Sequence, residues 1–356
     1  MTHTSRPPSR RTGLVLSGGG AKGAYQVGIL KSLVENNIQV DAVAGASIGA
    51  LNAAVLASAP TLKEGTARLE ELWLSLAASP PLKHNLPGYL HLVLNAGMTM
   101  ASGPFSNLLA RTTTSAGLAL ASIHQHRPGL LSQDPLQALM GKYFLQENIA
   151  KGLPLYVSVF KSHGAFRDIA DATLAEIGIR DTAPSEFIHI QALPADEQQK
   201  VLLASSALPV LFAAENIDKQ QYTDGGLGGW QKSQGNTPIT PLLQAGITDI
   251  IVTHLSDASL WSRHDFPQAT VLEIRPHTSM ARDGGASDLL GFDAKKITSW
   301  IQQGYNDTQA TVHRLAEINT ARTSLRMSEQ RIEAQLQNFP VLDKEMAAAM
   351  ARINKP

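Results

Sequence analysis

One serine stands in a pattern typical of a catalytic nucleophile. Gly45-Ala46-Ser47-Ile48-Gly49 follows a short apolar run, precedes helix-forming residues, and is the only G-x-S-x-G pattern in the 356 residues. Between a strand and a helix this pattern makes a sharp turn that exposes the serine hydroxyl, and the two glycines remove side chains that would collide there. Alternatively, the small residues only let a helix pack closely on a sheet. The pattern makes Ser47 a candidate nucleophile for acyl transfer.

A glycine-rich turn, GGGAKG at residues 18–23, precedes Ser47 by one predicted strand and one predicted helix. It fits the dinucleotide fingerprint G-x-G-x-x-G, but Asp41, at about the right distance to hold a ribose, stands near the start of the next strand and not at its end. A Walker phosphate loop does not fit, because Lys22 precedes Gly23 and no Ser or Thr follows it. Consecutive glycines at a helix N-terminus expose N–H groups that can stabilise a developing alkoxide. We therefore predict an oxyanion hole formed by Gly18, Gly19 and Gly20.

A serine hydroxyl also needs a base. Asp224 heads an Asp-Gly-Gly tripeptide directly after a predicted strand, whereas Asp283 heads a second one in a polar stretch typical of a surface loop. A histidine base is the alternative, and His254 and His277 are the best placed of the 11 histidines. No pair of histidines has the spacing of a metal motif such as H-E-x-x-H. The sequence favours Asp224 and leaves a histidine triad open.

These residues can meet only if strands bring their turns to one edge of a sheet. Apolar runs predict strands, and apolar residues at helical spacing predict helices between them. The predicted strands are Gly13–Leu16, Val40–Ala44, Leu155–Phe160, Phe187–Ala192, Asp249–His254 and Val271–Ile274, with a hairpin over Glu215–Thr223 that turns at Asp218-Lys219. Helices are predicted around Val27–Val34, Ala50–Ala57, Leu62–Leu76, Gln199–Leu208, Pro238–Ala245 and Asp293–Ile318. This alternation predicts the α/β class, with a mainly parallel sheet whose carboxyl edge hosts the chemistry.

Three segments differ from this alternation. Residues 85–122 contain one charged residue, Arg111, which is typical of a helical cap, a lid or a lipid-contacting surface. The last 35 or so residues are helical and polar in pattern, with Pro340 between two predicted pieces. We expect a mobile tail at 1–11, a catalytic domain at 12–310 with a cap or lid insertion at 80–150, and a C-terminal helical extension at 311–356.

Composition excludes several classes of function. Because 30 Lys and Arg balance 30 Asp and Glu, the positive excess of a nucleic-acid-binding protein is missing. The chain has no cysteine, which excludes disulfides, thiol nucleophiles and Cys-ligated metals. No stretch reaches the roughly 18 to 20 apolar residues that a spanning helix needs. If lipid is the substrate, we expect contact through apolar burial and not through net charge.

Together these motifs resemble the bacterial patatin-like phospholipases. The resemblance covers roughly residues 12–310 and rests on four segments: Ser17 to Gly23, Gly45 to Gly49, Ala204-Ser205-Ser206-Ala207-Leu208-Pro209 leading into Tyr222-Thr223-Asp224-Gly225-Gly226, and Asn236-Thr237-Pro238-Ile239. It implies a three-layer α/β/α fold and a Ser47–Asp224 dyad without histidine, supported by Lys22, Gly23, Gly45, Gly49, Gly225 and Gly226. It further implies a calcium-independent enzyme without cofactor, located in the cytoplasm, that cleaves acyl esters of glycerophospholipids at the inner face of the membrane. Lys22 would meet a lipid phosphate or remain solvated.

A narrower likeness points to phospholipase effectors of bacterial anti-phage systems. It rests on Ser256 to Arg263, which includes Trp261, and on Leu272-Glu273-Ile274-Arg275-Pro276. This likeness implies a cyclic di- or trinucleotide that orders a lid or drives homo-oligomerisation. Two other functions stay open at this point: a catalytically silent lipid- or nucleotide-binding module on the same scaffold, and an NAD(P)-binding Rossmann oxidoreductase.

Overall fold

A mixed sheet forms the centre of the protein, for which a computed structural model describes residues 11–78, 134–207, 214–281 and 291–353. The strands are β1 (Thr12–Leu16), β2 (Ala42–Ala46), β3 (Leu155–Lys161), β4 (Glu186–His189), β5 (Glu215–Ile217), β6 (Gln220–Asp224), β7 (Asp249–Thr253) and β8 (Thr270–Ile274). Their order in the described part is β5-β6-β3-β2-β1-β7-β8, and β4 also pairs with β3. The predicted α/β class is confirmed.

The middle of the sheet is parallel and one end of it is antiparallel. β1 pairs in parallel with β2 and β7, β2 pairs in parallel with β3, and β7 with β8. β3 pairs antiparallel with β4 and β6, and β6 with β5. Parallel neighbours require crossover helices, so the helices between these strands cover the sheet and leave its carboxyl edge to loops.

Helices cover both faces of the sheet. The α-helices are α1 (Ala24–Glu35), α2 (Ile48–Ala57), α3 (Leu62–Ala78), α4 (Asp134–Tyr143), α5 (Ala165–Glu176), α6 (Ala195–Ser205), α7 (Thr240–Gln244) and α8 (Ala294–Ile353). Side chains alternate along β1: Leu14 and Leu16 join the larger core with α1, α2 and α3, whereas Val15 packs on the other face with Leu242 of α7. All three β1 side chains are fully buried. The fold is therefore three-layered.

Glycine allows α1 and α8 to touch through their backbones. A Cβ on Gly28 would lie 1.9 Å from the Ile301 carbonyl oxygen and 2.5 Å from the Tyr305 nitrogen. Near this crossing, Tyr25 donates a 2.9 Å hydrogen bond from its hydroxyl to Asp307. Ile297 and Trp300 of α8 are fully buried in the larger core. The first turns of α8 are thereby part of the same packed unit as α1.

Two predicted elements differ in the structure. The strand predicted over Phe187–Ala192 ends at His189, and a 3₁₀ turn follows, because the Gln191 side chain bonds the Leu155 N–H and the Leu153 carbonyl in place of strand pairing. The helix predicted to end near Ile318 continues to Ile353 without a break at Pro340. Proline costs one helical hydrogen bond, but the Ala- and Met-rich residues after it favour helix.

Other expectations fall outside the described residues. Those are the tail, the segment 85–122 with most of the insertion predicted at 80–150, Asp283, and Leu208-Pro209. α4 and α5 were not predicted. Where the structure describes the chain, no helix has the length and apolar character that crossing a bilayer requires.

The described residues cluster into two compact units. One lies within Met1–Thr308 and the other within Gln309–Pro356. The first contains the whole sheet, and the second consists of the later part of α8. The domain boundaries given above remain predictions.

Filling the contact between α1 and α8 should destabilise the protein. We expect Gly28→Ala to lower the free energy of unfolding by about 1–3 kcal/mol, because its methyl group must push two backbones apart. Gly141→Ala in α4 is the control: no described atom lies within 4 Å of its Cβ, so the helix gains about 0.4–1 kcal/mol. Urea unfolding of both variants measures the difference; equal stabilities would contradict the packing described.

Candidate active site

Strand register brings the glycine turn and the serine turn to one edge of the sheet. Leu16, the last residue of β1, pairs with Gly45 of β2 on one side and with Thr253 of β7 on the other. The glycine loop after β1 and the Ser47 turn after β2 therefore begin side by side at the same edge of the sheet. The prediction that parallel strands bring the two turns to one edge agrees with this register.

Ser47 occupies a strained turn between β2 and α2. Its φ is 52° and its ψ is −128°, a left-handed conformation that non-glycine residues rarely adopt. The turn brings Gly49 so close to β1 that a Cβ there would lie 2.0 Å from the Leu16 carbonyl oxygen. The Ser47 N–H donates to Ser205 Oγ at 3.0 Å, and that hydroxyl donates to the Ser158 carbonyl at 2.7 Å. Ser205 thus fixes the elbow to β3.

The glycine loop lies against Ser47 and is held by Asn236. The Gly18 N–H donates to Asn236 Oδ1 at 3.2 Å and lies 3.4 Å from the Asn236 carbonyl oxygen. The position that a Gly18 Cβ would take is 2.8 Å from Ser47 Cβ. Among the hydrogen bonds of the described residues, none uses the N–H of Gly19 or Gly20. Those two amides are therefore the ones available to an oxyanion in this conformation, and the assignment itself remains a prediction.

A buried polar network supports the loop from behind. Gln26 donates to the Ser17 carbonyl at 2.8 Å, and Asn52 donates to Gln26 at 2.8 Å and to the Gly23 carbonyl at 3.2 Å. Trp73 then donates to Asn52 Oδ1 at 3.0 Å. Buried side-chain amides are costly unless they are bonded. Here they link α1, α2 and α3 to the backbone on both sides of the three glycines.

Asp224 reaches the same level from the antiparallel side of the sheet. Ala46 of β2 pairs with Ser158 of β3, and the next β3 residue, Val159, pairs with Asp224 at the end of β6. The register therefore places Asp224 level with Ser47, two strands away. Asp224 is 3% exposed, so its carboxylate is almost completely shielded from water.

The Asp224 carboxylate has one bonded oxygen and one unpaired oxygen. Oδ1 accepts the Gly226 N–H at 2.8 Å, while Oδ2 has no hydrogen-bond partner of normal geometry among the described residues. Burial raises the pKa of Asp224 to about 6, and the Ser47 hydroxyl and the Gly226 N–H oppose that rise. The arrangement gives a buried base of raised basicity beside a hydroxyl.

The remaining motif glycines form the walls of the two turns. Gly225 follows Asp224 in its turn, and its carbonyl accepts a 2.6 Å hydrogen bond from the Ser185 hydroxyl. Gly45 lies beside Gly49 in the elbow, and Gly23 packs against Ile48. Lys22 is only 7% exposed, so the solvated alternative for this lysine is wrong; its contact with a lipid phosphate remains a prediction.

Both candidate histidines belong to other clusters. His254 is 1% exposed, lies 3.4 Å from Glu273 and contacts the Trp261 ring; burial lowers its pKa. His277 lies 3.1 Å from Asp307, the carboxylate that accepts the Tyr25 hydroxyl. Neither has a hydrogen bond or ion pair with Ser47 or Asp224 among the described contacts. The geometry favours the aspartate over a histidine base.

Asp41 lies at the wrong edge for a dinucleotide. It precedes β2, and its carboxylate accepts the Thr12 N–H at 2.7 Å at the start of β1. The glycine loop follows the other end of β1, so the ribose-binding carboxylate of the Rossmann alternative is not where that fold needs it.

Two residues of this site were not assigned a role from sequence. Asn236 and Ser205 both stand in segments that carried the family resemblance, yet nothing in their spacing indicated that one would bond the glycine loop and the other the serine turn. Only the fold reveals these contacts, because each joins residues far apart in the chain.

Comparison with known proteins decides the family. The family model described as "Patatin-like phospholipase" matches residues 14–242, a range that contains every motif of this site. The chain belongs to the patatin-like phospholipase family. That match extends over more than half of the sequence and includes both Ser47 and Asp224.

Similar proteins share only a short part of this chain. Lysophospholipase nte1 of Aspergillus terreus is 54% identical over 48 residues, which are 14% of this chain and 3% of that protein. Neuropathy target esterase sws of Drosophila melanogaster is 48% identical over 59 residues, 17% of this chain and 4% of that protein. The chain thus covers only a few per cent of the length of these relatives.

Two solved structures are also similar. VipD from Legionella pneumophila aligns over 86% of this chain and 67% of its own, with 15% identity and a TM-score of 0.43. The ExoU–SpcU complex of Pseudomonas aeruginosa aligns over 87% and 52%, with 14% identity and a TM-score of 0.35. At these scores, the fold assignment rests on the sheet topology described above.

Removing the buried charge should stabilise the protein at high pH. The pKa of Asp224 is about 6 in the folded protein and 3.8 for an ordinary aspartate. The stability that protonated Asp224 contributes is therefore fully present below pH 4 and is lost as the pH rises through 6. Asp224→Asn should therefore be as stable as the wild type near pH 4 and more stable by up to about 3 kcal/mol near pH 8, at about 1.4 kcal/mol per pKa unit.

Chemical unfolding at both pH values measures this difference. Asp218→Asn, which removes an exposed carboxylate in the β5–β6 turn, is the control for the loss of one charge. A stability difference for Asp224→Asn that stays constant with pH would contradict the desolvation of Asp224.

Proposed function

We propose that the protein is a serine acyl hydrolase that releases fatty acids from membrane glycerophospholipids through a Ser47–Asp224 dyad. The observation that carries the proposal is the buried carboxylate with one unpaired oxygen beside a serine in a strained elbow. The glycine loop at the same sheet edge and membership of the phospholipase family support it. A phospholipase A or lysophospholipase reaction is the form of this chemistry that we propose.

The reaction follows from the positions of the groups. Asp224 takes the Ser47 proton as Oγ attacks the ester carbonyl and forms the Oγ–C bond. Amides of the glycine loop donate to the oxyanion: Gly19 and Gly20 directly, and Gly18 once its N–H leaves Asn236. The ester C–O bond then breaks, and Asp224 gives its proton to the leaving lysolipid oxygen. Water repeats the sequence on the acyl-serine and releases the fatty acid.

A raised pKa suits this role. A carboxylate that is too weakly basic would not accept a serine proton, and burial increases its basicity while the unpaired oxygen keeps one acceptor position open. At neutral pH a group with a pKa of about 6 is mostly ionised, which is the form that a base requires.

The dyad makes a clear prediction for variants. Ser47→Ala and Asp224→Asn should each lower fatty-acid release from phosphatidylcholine–phosphatidylglycerol vesicles by at least about a thousand-fold, because each removes a group of one catalytic unit. His254→Ala and His277→Ala should keep turnover within about tenfold per folded molecule, although His254→Ala loses buried packing.

Mass spectrometry of the products measures release, and circular dichroism confirms folding. A folded His254→Ala or His277→Ala variant as inactive as Ser47→Ala would indicate a triad. A wild type that releases nothing under any condition would favour the catalytically silent module, and a fully active Ser47→Ala variant would refute the dyad.

A cyclic nucleotide activator is a second part of the proposal, and one observation favours it. The two segments that carry the narrower resemblance form one cluster: Arg275 donates to the carbonyls of Ser259 and Trp261 at 3.0 Å each and lies 2.7 Å from Glu273. The neighbouring Leu255 contacts the site that a Gly19 Cβ would fill. We propose that a nucleotide bound at this cluster acts on the glycine loop through Leu255.

An activity panel tests the activator and the absence of a metal requirement together. We expect cyclic di- or trinucleotides to raise vesicle hydrolysis at least tenfold, and excess EDTA to leave hydrolysis unchanged because the dyad needs no metal. Linear dinucleotides are the control. Equal hydrolysis with every nucleotide would exclude activation, and loss of activity in EDTA that calcium restores would exclude the metal-free reaction.

A further inference from the structure

The later part of α8 carries a row of apolar residues that nothing among the described residues covers. They recur every seven positions and form what we call the heptad stripe: Ile318, Leu325, Ile332, Phe339, Met346 and Ile353. The five whose exposure is described are between 50% and 78% exposed. Every described side chain from His313 to Ile353 is exposed. A helix of this length with an apolar row in water needs a partner for that row.

The period of the stripe indicates what kind of partner fits. An unperturbed helix has 3.6 residues per turn, so a strict seven-residue repeat drifts around it unless the helix supercoils with a second helix. The positions three residues after stripe residues are small or polar at Ala321, Ser328, Gln335 and Ala349, and apolar at Leu342. The opposite face carries Thr323 and Gln330. One apolar position in each heptad forms a narrower seam than the apolar a and d positions of a standard two-stranded coiled coil, and its seven-residue period fits pairing with one other helix.

The charges beside the stripe are balanced, which favours a second copy of this chain. Residues 309–353 contain six Lys or Arg and five Asp or Glu. A helix that lies on an anionic lipid surface instead has a basic polar face. Both signs occur on both sides of the stripe, with Glu317 and Arg352 on one side and Arg322 and Asp343 on the other. Such a surface can complement itself.

The charged residues beside the stripe indicate whether the two α8 helices would run parallel or antiparallel. In an antiparallel pair with Ile332 opposite Gln335 of the second copy, Glu317 faces Arg352 and Arg322 faces Asp343, and symmetry doubles both contacts. A parallel pair in register offers only Glu317 opposite Arg322. Exposed ion pairs add little binding energy, and Glu317 already lies 3.5 Å from His313 of its own helix. The charged contacts beside the stripe would therefore determine the relative direction of the two helices and contribute little to the affinity of the dimer.

Packing along the seam favours the same direction. In the antiparallel pair Ile318 faces Ala349 and Met346 faces Ala321, so a large side chain meets a small one at both ends of the stripe, while Leu325 faces Leu342 between them. A parallel pair would place identical large residues opposite each other. We propose that α8 forms an antiparallel coiled coil with α8 of a second copy, and that the protein is a dimer through its C-terminal unit.

The first test is the mass of the full chain in solution. Sedimentation velocity and light scattering should give twice the chain mass of 38.1 kDa for the wild type, and the single chain mass for a variant with Leu325→Asp and Ile332→Asp. The matched control carries Thr323→Asp and Gln330→Asp on the opposite face and should stay dimeric. A wild type that is monomeric at its highest soluble concentration, or a control that dissociates as readily as the stripe variant, would overturn the proposal.

The second test is direction, which the absence of cysteine makes simple to measure. Full-length Ala321→Cys and Met346→Cys proteins, mixed and oxidised, should give a disulfide-linked dimer that neither forms alone. Cross-linking of Ala321→Cys with itself would overturn the antiparallel arrangement. A monomeric wild type that floats with phosphatidylglycerol vesicles, and loses this binding with the stripe variant, would assign the stripe to lipid and overturn self-pairing.

Discussion

Strand register is the constraint on which this site depends. Leu16 pairs with Gly45, Ala46 with Ser158, and Val159 with Asp224. These three pairings align the glycine turn, the serine turn and Asp224 along one edge of the sheet. A slip of one residue in any pairing would turn the alternating side chains to the opposite faces. Since both faces of β1 are packed against apolar cores, such a slip would disrupt the packing of the β1 side chains in both cores. The two cores therefore hold the relative positions of Ser47 and Asp224 without containing either residue.

This geometry requires backbone strain at Ser47 and desolvation of the Asp224 carboxylate. Ser47 has a φ of 52°, a conformation that costs of order 1–3 kcal/mol, and the Asp224 carboxylate is almost without water. Neither feature would survive in a loop held only at its ends. Here, the Ser47 N–H donates to Ser205, whose hydroxyl donates to Ser158 of β3, and Asp224 is itself the last residue of β6 and accepts the Gly226 N–H. The sheet thereby holds two locally unfavourable states in place.

The sequence predicted more of the strands than of the contacts between them. Apolar runs located β1, β2, β3, β7 and β8 to within two residues, because buried parallel strands have a strong local pattern. The bounds of α8 were wrong: the prediction ended one helix near Ile318 and divided the helical residues after it at Pro340, a local signal that the continuous helix tolerates. Ser47 and Asp224 could be proposed because each has a recognisable turn around it. Asn236 and Gln26 could not be assigned a role, because the bonds that they make depend on strands and helices distant in sequence.

These long-range contacts explain how a loop of three glycines can hold a fixed shape. Gly18 is bonded by Asn236 from the chain after β6, Gly19 is contacted by Leu255 after β7, and the carbonyls on either side are held by Gln26 and Asn52. Glycine itself contributes no rigidity, so these neighbours, together with β1 and α1 at either end, set the direction of the loop amides. Catalysis by oxyanion donors depends on their orientation before the substrate arrives. In the proposed reaction, the side chains that set this orientation therefore come from elements outside the glycine loop.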